Sequence, residues 1–535
     1  MLNRKFEIVS KIFTIISIIA ATIFLSTDLR PKWMLVGIIS SGLLAIIIVL
    51  KYHFLIKTIF DIKQDVKTKI MVVLISLYVG KIYLGYFDIN YLLIAKLFGL
   101  GYTQSIKRLI GLIALPAIFE CLYLMIRYAL DFGQKIYKTM DKTDKAFVAG
   151  VMIVAAIGTM VIYSVTSAFD RGISIYDTAK RGGQCDVFFH TDSAYIGTDA
   201  FWRFSMIEND IRNPFFAVFS LPFSMLSMML SDYLFFIPRA YDVALNVMQL
   251  GLLALSIVMM AQMLGLSATN KKLFYWFMSC SFVYVMFAFI REQYIFSVFF
   301  AMAAIYWFVK YKNKTNFWFV AAAGSMITSG VLLPLICKTR DLKTWLESFK
   351  NVSLVVLTVA VISGQFKVIV KGLDRSKVLL STYGGAGISF FDKFKQFLYF
   401  IRSIFVSPRA VTIDHGNYHS YQLPIINYIS WMGLALLIVA LAGTWMFRKN
   451  LFVRICAIWM LFASIILLII GWGAKENSML LYGLYFGFGF LVPVFMVMVR
   501  FNKSLLFYSI LAIMTIVNIK GFVEMMQFAL QYYPA

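Results

Sequence analysis

His190-Thr191-Asp192-Ser193-Ala194-Tyr195-Ile196-Gly197-Thr198-Asp199-Ala200-Phe201-Trp202-Arg203, followed shortly by Glu208-Asn209-Asp210-Ile211-Arg212-Asn213-Pro214-Phe215, is the centre of a polar interruption running from Ala168 to about Tyr241. Carboxylates, arginines and aromatics crowd together there, while long stretches on either side carry hardly a charge. The whole chain of 535 residues is 61% hydrophobic and only 14% charged, with a mean hydropathy of +0.81. A soluble chain carries about a quarter of its residues charged. The composition predicts an all-α polytopic membrane protein whose chemistry sits in its polar interruption.

Apolar runs of spanning length predict helices over 12–27, 33–50, 70–86, 108–130, 146–167, 241–266, 273–290, 294–309, 317–336, 351–370, 425–447, 453–471, 478–499 and 504–522. Gly324-Ser325 and Thr328-Ser329-Gly330 divide the run at 317–336, which reads as two half-helices that enter and return. The expectation is about fourteen to fifteen crossings. Behind the basic start at Arg4, Lys5 and Lys11, the run from Ile12 to Leu25 has no small-residue cleavage site and reads as a retained first helix. Residues 1–140 form an N-terminal four-helix segment in this reading, and 141–535 a second module with outer loops at 168–240 and 371–424.

The net charge of +24 does not call for nucleic acid, because many of the Lys and Arg lie in short connections between apolar runs. There they set orientation and meet anionic headgroups, so the partner they imply is membrane lipid. Putting Lys51–Lys69, Lys135–Lys145, Lys271-Lys272, Lys310–Lys314, Lys338–Lys350, Arg448-Lys449 and Arg500/Lys503 on the cytoplasmic side of the cell membrane, with the N-terminus, requires 317–336 to return to its starting side and turns both large loops outward. Lys107-Arg108 departs from that pattern. Within the outward loops, residues 213–238 and 388–406 read as interfacial helices, the latter with Phe390, Phe391, Phe394, Phe397 and Leu398 on one face against Lys393, Lys395 and Arg402. The five cysteines are scattered and give neither a disulfide framework nor a metal cluster.

Asp192 is the first candidate catalytic residue, since an outward, partly dehydrated carboxylate can take a proton from a hydroxyl. Asp199 and Asp210 share the same loop, with Arg203 and Arg212 as neighbouring cations for a donor phosphate or sugar. Arg291-Glu292 and Lys475-Glu476 form two tight outward turns, each pairing a cation with a carboxylate. Arginine suits bidentate phosphate binding, lysine offers a counter-ion, and a glutamate can hold a sugar hydroxyl. Arg409, His415 and His419 in the second loop suit an acceptor or a pyrophosphate-lipid head. A zinc site at His415 and His419 is disfavoured by Gly416-Asn417 between them and by the lack of a matching ligand set. No cofactor is required; a divalent cation, if bound, would rest on Asp192 and Asp210. The absence of a Gly-rich phosphate loop in a strand–helix setting favours a donor carried by a membrane lipid over a nucleotide.

An acidic residue in the first outward loop, followed some twenty residues later by a polar residue, Pro and a bulky apolar pair, resembles GT-C glycosyltransferases that use lipid-linked sugars. Protein mannosyltransferases and aminoarabinose transferases carry such a pattern. Here Asp192 precedes Asn213-Pro214-Phe215, with Ser193 where the family often has Glu and one Pro where it often has two. The resemblance covers 146–522. It implies an inverting transferase that moves sugar from a polyprenyl-phosphate donor to a cell-envelope glycan or another, lipid-linked acceptor, with Asp192 matching the catalytic base and Asp210 the second acidic residue. A flippase or transporter for a lipid-linked glycan is the alternative from another class. A glycan polymerase is a third reading.

Overall fold

In the computed structural model the described residues are 2–25, 130–169, 187–191, 213–234, 236–237, 239–311, 316–332, 380–381, 383–416, 418–501 and 505–535, with isolated helical positions elsewhere. The chain divides into two compact units. One comprises Met1–Thr139, Arg203–Val218 and Cys337–Asp374; the other comprises Met140–Trp202, Phe219–Ile336 and Arg375–Ala535. The first contains α1 (Leu2–Leu25), whose midsection buries Thr14, Ser17, Ile18 and Ala20. The expected spans at 33–50, 70–86, 108–130 and 351–370 lie outside the described residues.

The larger unit is almost wholly helical. After α2 (Lys142–Val165) and α3 (Phe216–Tyr233, which begins at the unit boundary) come α4 (Ala240–Leu264), α5 (Ala268–Cys280), α6 (Phe282–Phe287), α7 (Gln293–Tyr311) and α8 (Asn316–Ser325). There follow α9 (Phe390–Phe405), a hairpin of β1 (Val411–Asp414) and β2 (His419–Gln422), then α10 (Trp431–Met446), α11 (Leu451–Ala463), α12 (Gly483–Arg500) and α13 (Leu505–Tyr532). Among the described residues six helices are long and apolar enough to cross a membrane: α2, α4, α7, α11 with its π-helical continuation to Ile469, α12 with the preceding 3₁₀ turn, and α13. The chain is therefore a polytopic membrane protein, mostly helical, with one small antiparallel hairpin that an all-α reading does not include.

The helices alternate in direction, and hydrogen bonds fix which ends meet. At one end α2 starts with a capping box in which Asp141 accepts from the Asp144 N–H, at 2.9 Å. Asp144 is fully buried and accepts from Lys271 Nζ at 2.9 and 3.0 Å, from the Tyr275 hydroxyl at 2.6 Å and from Gln262 Nε2 at 3.0 Å. Tyr306 donates in turn to Gln262 Oε1 at 2.7 Å, and Lys271 also reaches Asp141 Oδ2 at 2.7 Å. A buried charge is tolerated only when paired and hydrogen-bonded throughout, and this one is. The hydrogen bond from Lys271, then that from the Asp144 N–H, holds the Asp141 carboxyl below the usual aspartate value. The network gathers the start of α2, the α4–α5 connection and the last turns of α7, so the basic residues Lys142, Lys145, Lys271, Lys272 and Lys310 share one end.

The opposite end gathers the end of α2, the starts of α4 and α7, the turn between α11 and α12, and the end of α13. Tyr163 donates to the Phe289 carbonyl at 2.9 Å, Arg239 Nη1 to the Thr166 carbonyl at 3.3 Å, and Ala535 N–H to the Val165 carbonyl at 3.1 Å.

The span at 273–290 is broken at Ser281, which caps α5 and starts α6. The run at 317–336 is indeed two pieces, α8 and a 3₁₀ helix at Ile327–Leu332, held by Ser329 and Thr328 on the Tyr485 hydroxyl at 2.6 and 3.1 Å. One turn of α3 meets the first turns of α7: Phe219 lies 5.8 Å from Phe300 and Phe223 5.3 Å from Phe296.

Helix α9 is cross-packed on α10 and α12. Gly433 lets α10 approach the Leu398 backbone so closely that a Cβ would collide with the Leu398 carbonyl, and Phe397 and Phe400 face Phe490. Phe397 and Leu398 are buried as their apolar face predicts, whereas Phe390 and Phe391 are exposed at its N-terminal end.

Candidate functional site

At the Thr166 end, residues 187–191 of the first loop dock on the hairpin of the second. Tyr421 N–H donates to the Val187 carbonyl at 2.7 Å and Phe189 N–H to the Tyr421 carbonyl at 2.9 Å, forming a parallel bridge between Phe188 and Tyr421. Phe188 and Phe189 are buried, ringed by Phe169, Tyr421, Phe282 and Phe528. Burial first, then the Glu524 carboxylate, pushes the Tyr421 phenol up to about 12. Thr191 N–H closes a turn on the Phe188 carbonyl at 2.9 Å, with φ of 47° at Phe189 and 62° at His190. Positive φ at both central residues is the pattern of a type I′ turn, normally given to Gly or Asn because a Cβ there crowds the backbone. Two non-glycine residues held this way store strain of about 1–3 kcal/mol each, a condition that clusters at functional sites. The very next residue in the chain after this turn is Asp192. Asp192 itself, with Asp199, Arg203, Asp210 and Arg212, lies outside the described residues.

Arg291 and Glu292 join α6 to α7, and both are buried: Arg291 is 1% exposed and Glu292 0%. They do not sit in water as a plain surface turn would. Arg291 pairs with Asp242 in the first turn of α4, and Glu292 Oε1 accepts from the Gln293 N–H at 2.9 Å. Such burial fixes the guanidinium and leaves Asp242 part-exposed at the outer edge of the pair.

Tyr294, two residues on from Glu292, packs edge-on against Tyr482 at 5.6 Å, and the Tyr482 hydroxyl accepts from Trp472 Nε1 at 2.7 Å. The two charged turns, 184 residues apart in sequence (475 − 291), are thus bridged by two tyrosines and a tryptophan. Trp472 also stacks on Tyr383 at 5.7 Å. Two backbone bonds pair residues 383–385 with residues 470–473: Gly473 N–H donates to the Tyr383 carbonyl and Gly385 N–H to the Ile470 carbonyl, each at 3.0 Å. The Lys475 ammonium donates to the Ser381 carbonyl at one end of this pairing, while the Lys393 stem crosses Gly385 and Gly471 at the other. Gly471 and Gly473 take φ of +75° and +79°, the backbone freedom this tight reversal needs. Lys475 and Glu476 are exposed, and Asn477 Nδ2 ties the turn to the Pro424 carbonyl at 2.7 Å.

His415 and His419 flank the hairpin turn without converging on a shared ligand point. His415 Nε2 bonds Ser420 Oγ at 2.9 Å and its ring stacks on Tyr418 at 4.2 Å. His419 Nδ1 lies 3.7 Å from Asp414 Oδ1, its ring lies 4.1 Å from that of Tyr532, and its backbone N–H donates to the Tyr533 hydroxyl at 2.9 Å. Arg409 is exposed at the start of the hairpin. Among the described residues no three His, Cys, Asp or Glu side chains gather as a metal site.

The structure therefore brings together the Arg291–Glu292 and Lys475–Glu476 turns, and separately ties the approach to Asp192 to the hairpin that carries His415 and His419. Asp242, Tyr383 and Tyr482 were not singled out by the sequence. Asp242 had a signal, being a carboxylate at the start of an otherwise apolar run, but its partner lies 49 residues away. Comparison with known protein families, with curated proteins and with solved structures finds no match to this chain.

Proposed function

We propose that the chain is a glycosyltransferase that moves sugar from a polyprenyl-phosphate donor to a cell-envelope glycan or lipid-linked acceptor at the outer face of the cytoplasmic membrane. The observation that carries this reading is the strained, buried turn Phe188–Thr191, clamped to the second loop at the end of the unit where both charged turns lie. Strain at that point is expected where the direction of the following residue matters, and that residue is Asp192. The basic connections at 271–272, 310, 448–449 and 500 crowd the other end, which the positive-inside rule assigns to the cytoplasm.

Asp192 removes the acceptor proton as the acceptor oxygen attacks the anomeric carbon. The bond between that carbon and the donor phosphate oxygen breaks in the same displacement, and the configuration inverts. Charge grows on the departing lipid phosphate, and an aimed cation stabilises it most in the transition state. Lys475 suits this role, because its ammonium has three donors and Ser381 takes one. Arg291, committed to Asp242, positions its turn instead.

The test is transfer of labelled sugar from polyprenyl-phosphate sugars by the purified protein in lipid nanodiscs. Asp192→Asn is expected to abolish transfer while leaving the unfolding temperature unchanged. Near-normal turnover in that variant removes the base assignment, and an unchanged donor with the parent protein removes the enzyme.

A further inference from the structure

Helix α4 presents three polar residues, Asp242, Asn246 and Gln249, at a spacing that puts them on one face and steps inward from the Arg291 pair. The step from Asp242 to Gln249 is two helical turns, about 10 Å of depth. Asn246 is fully buried; its Nδ2 donates to Thr159 Oγ1 at 2.8 Å and to the Ala288 carbonyl at 3.2 Å. No protein group among the described residues pairs with Asn246 Oδ1, nor with either polar atom of Gln249, which is also fully buried. The hydroxyl of Tyr284, one turn back from Ala288 on the neighbouring α6, is buried and lacks a protein partner as well. Since α4 and α6 run in opposite directions, one turn inward on each from the Asn246–Ala288 contact places Gln249 and Tyr284 at the same level.

Four such atoms within about one helical turn of depth are not a packing accident. Leaving each dry would cost the desolvation of a polar group with no return, and buried polar atoms in proteins nearly always find protein or ordered water. Together they offer two carbonyl-type acceptors, an amide N–H₂ and a phenol. They carry no charge of their own to balance a bound ion, and full burial leaves no route for a molecule as large as a sugar ring. The ligand chemistry that fits is one small molecule type that both donates and accepts, making two to four hydrogen bonds.

We propose that Asn246, Gln249 and Tyr284 form an internal water site inside the bundle, beneath the Arg291–Asp242 pair. Its waters complete the three side chains and carry hydration inward from the part-exposed Asp242 carboxylate. This stands independently of the transferase reading.

A density map of the protein in nanodiscs, at a resolution that shows ordered solvent, tests it. Peaks within hydrogen-bond distance of Gln249 and Tyr284 are the expected result. Side chains closed on one another or on apolar groups, with no peak between them, overturn the proposal. Thermal unfolding of Gln249→Leu gives a second reading with a sign. A hydrated site predicts a midpoint lowered by a few degrees, because the waters lose partners. A dry site predicts a raised midpoint, because an unsatisfied amide has been removed. Val258→Ala, lower on the same helix, controls for loss of packing alone.

Discussion

His190 sits at φ 62° and Phe189 at φ 47°, one turn from the residue assigned as catalytic base. A β-branched side chain tolerates that region worst, whereas glycine adopts it freely. His190→Val is therefore expected to lower the thermal midpoint and transfer together, and by more than His190→Gly does. Equal behaviour of the two variants would mean the turn is not strained. At the other end of the bundle Lys271 is the only cation hydrogen-bonded to the buried Asp144 among the described residues. Lys271→Met leaves that carboxylate without its counter-charge, at a cost of about 3–5 kcal/mol. Loss of folded protein, measured by thermal unfolding in detergent, checks it. Asp141 adds a pH signature. Its carboxyl is held below the ordinary value, so its contribution to stability is complete above about pH 4 and falls away as the pH drops further. Asp141→Asn should flatten the acid limb of the stability profile; an unchanged limb contradicts the assignment.

At the scale of elements, the closest helix contact depends on a missing side chain. A methyl group at Gly433 would collide with the Leu398 carbonyl, so Gly433→Ala must separate α9 from α10. Gly150 of α2 has nothing within 4 Å of where its Cβ would stand. Gly150→Ala is expected to be neutral or to stabilise by about 0.5–1 kcal/mol through helix propensity, while Gly433→Ala destabilises by at least about 2 kcal/mol. Comparable midpoints for the two would show that the α9–α10 contact is loose. Most spans were legible in the sequence, because hydropathy marks them directly: α4, α7 and α11 begin and end within a few residues of the apolar runs. Boundaries shifted where polar groups carry helical structure. Helix α2 starts four residues before its apolar run because Asp141 and Asp144 cap it. Helix α13 extends ten residues past the expected end, through Lys520 and Glu524 on its exposed side. The hairpin was not legible, since one of its strands also bonds Val187 and Phe189, which lie far back in the chain.

At the scale of the molecule, the shared ends of the described helices in the larger unit were readable from basic connections alone. The joining of distant charges was not. Lys271 meets Asp144 across 127 residues, and Trp472 reaches Tyr294 only through Tyr482. Pairings at such separations follow from packing, which a single sequence does not encode locally. The central claim is that the end bearing the clamped turn, the hairpin and the Lys475 turn faces outward. With the native cysteines replaced, single cysteines at Lys475, His415, Lys272 and Lys449 can be labelled in intact cells with a membrane-impermeant maleimide. The account predicts labelling of the first two before permeabilisation and of the last two only afterwards; the reverse pattern would contradict it.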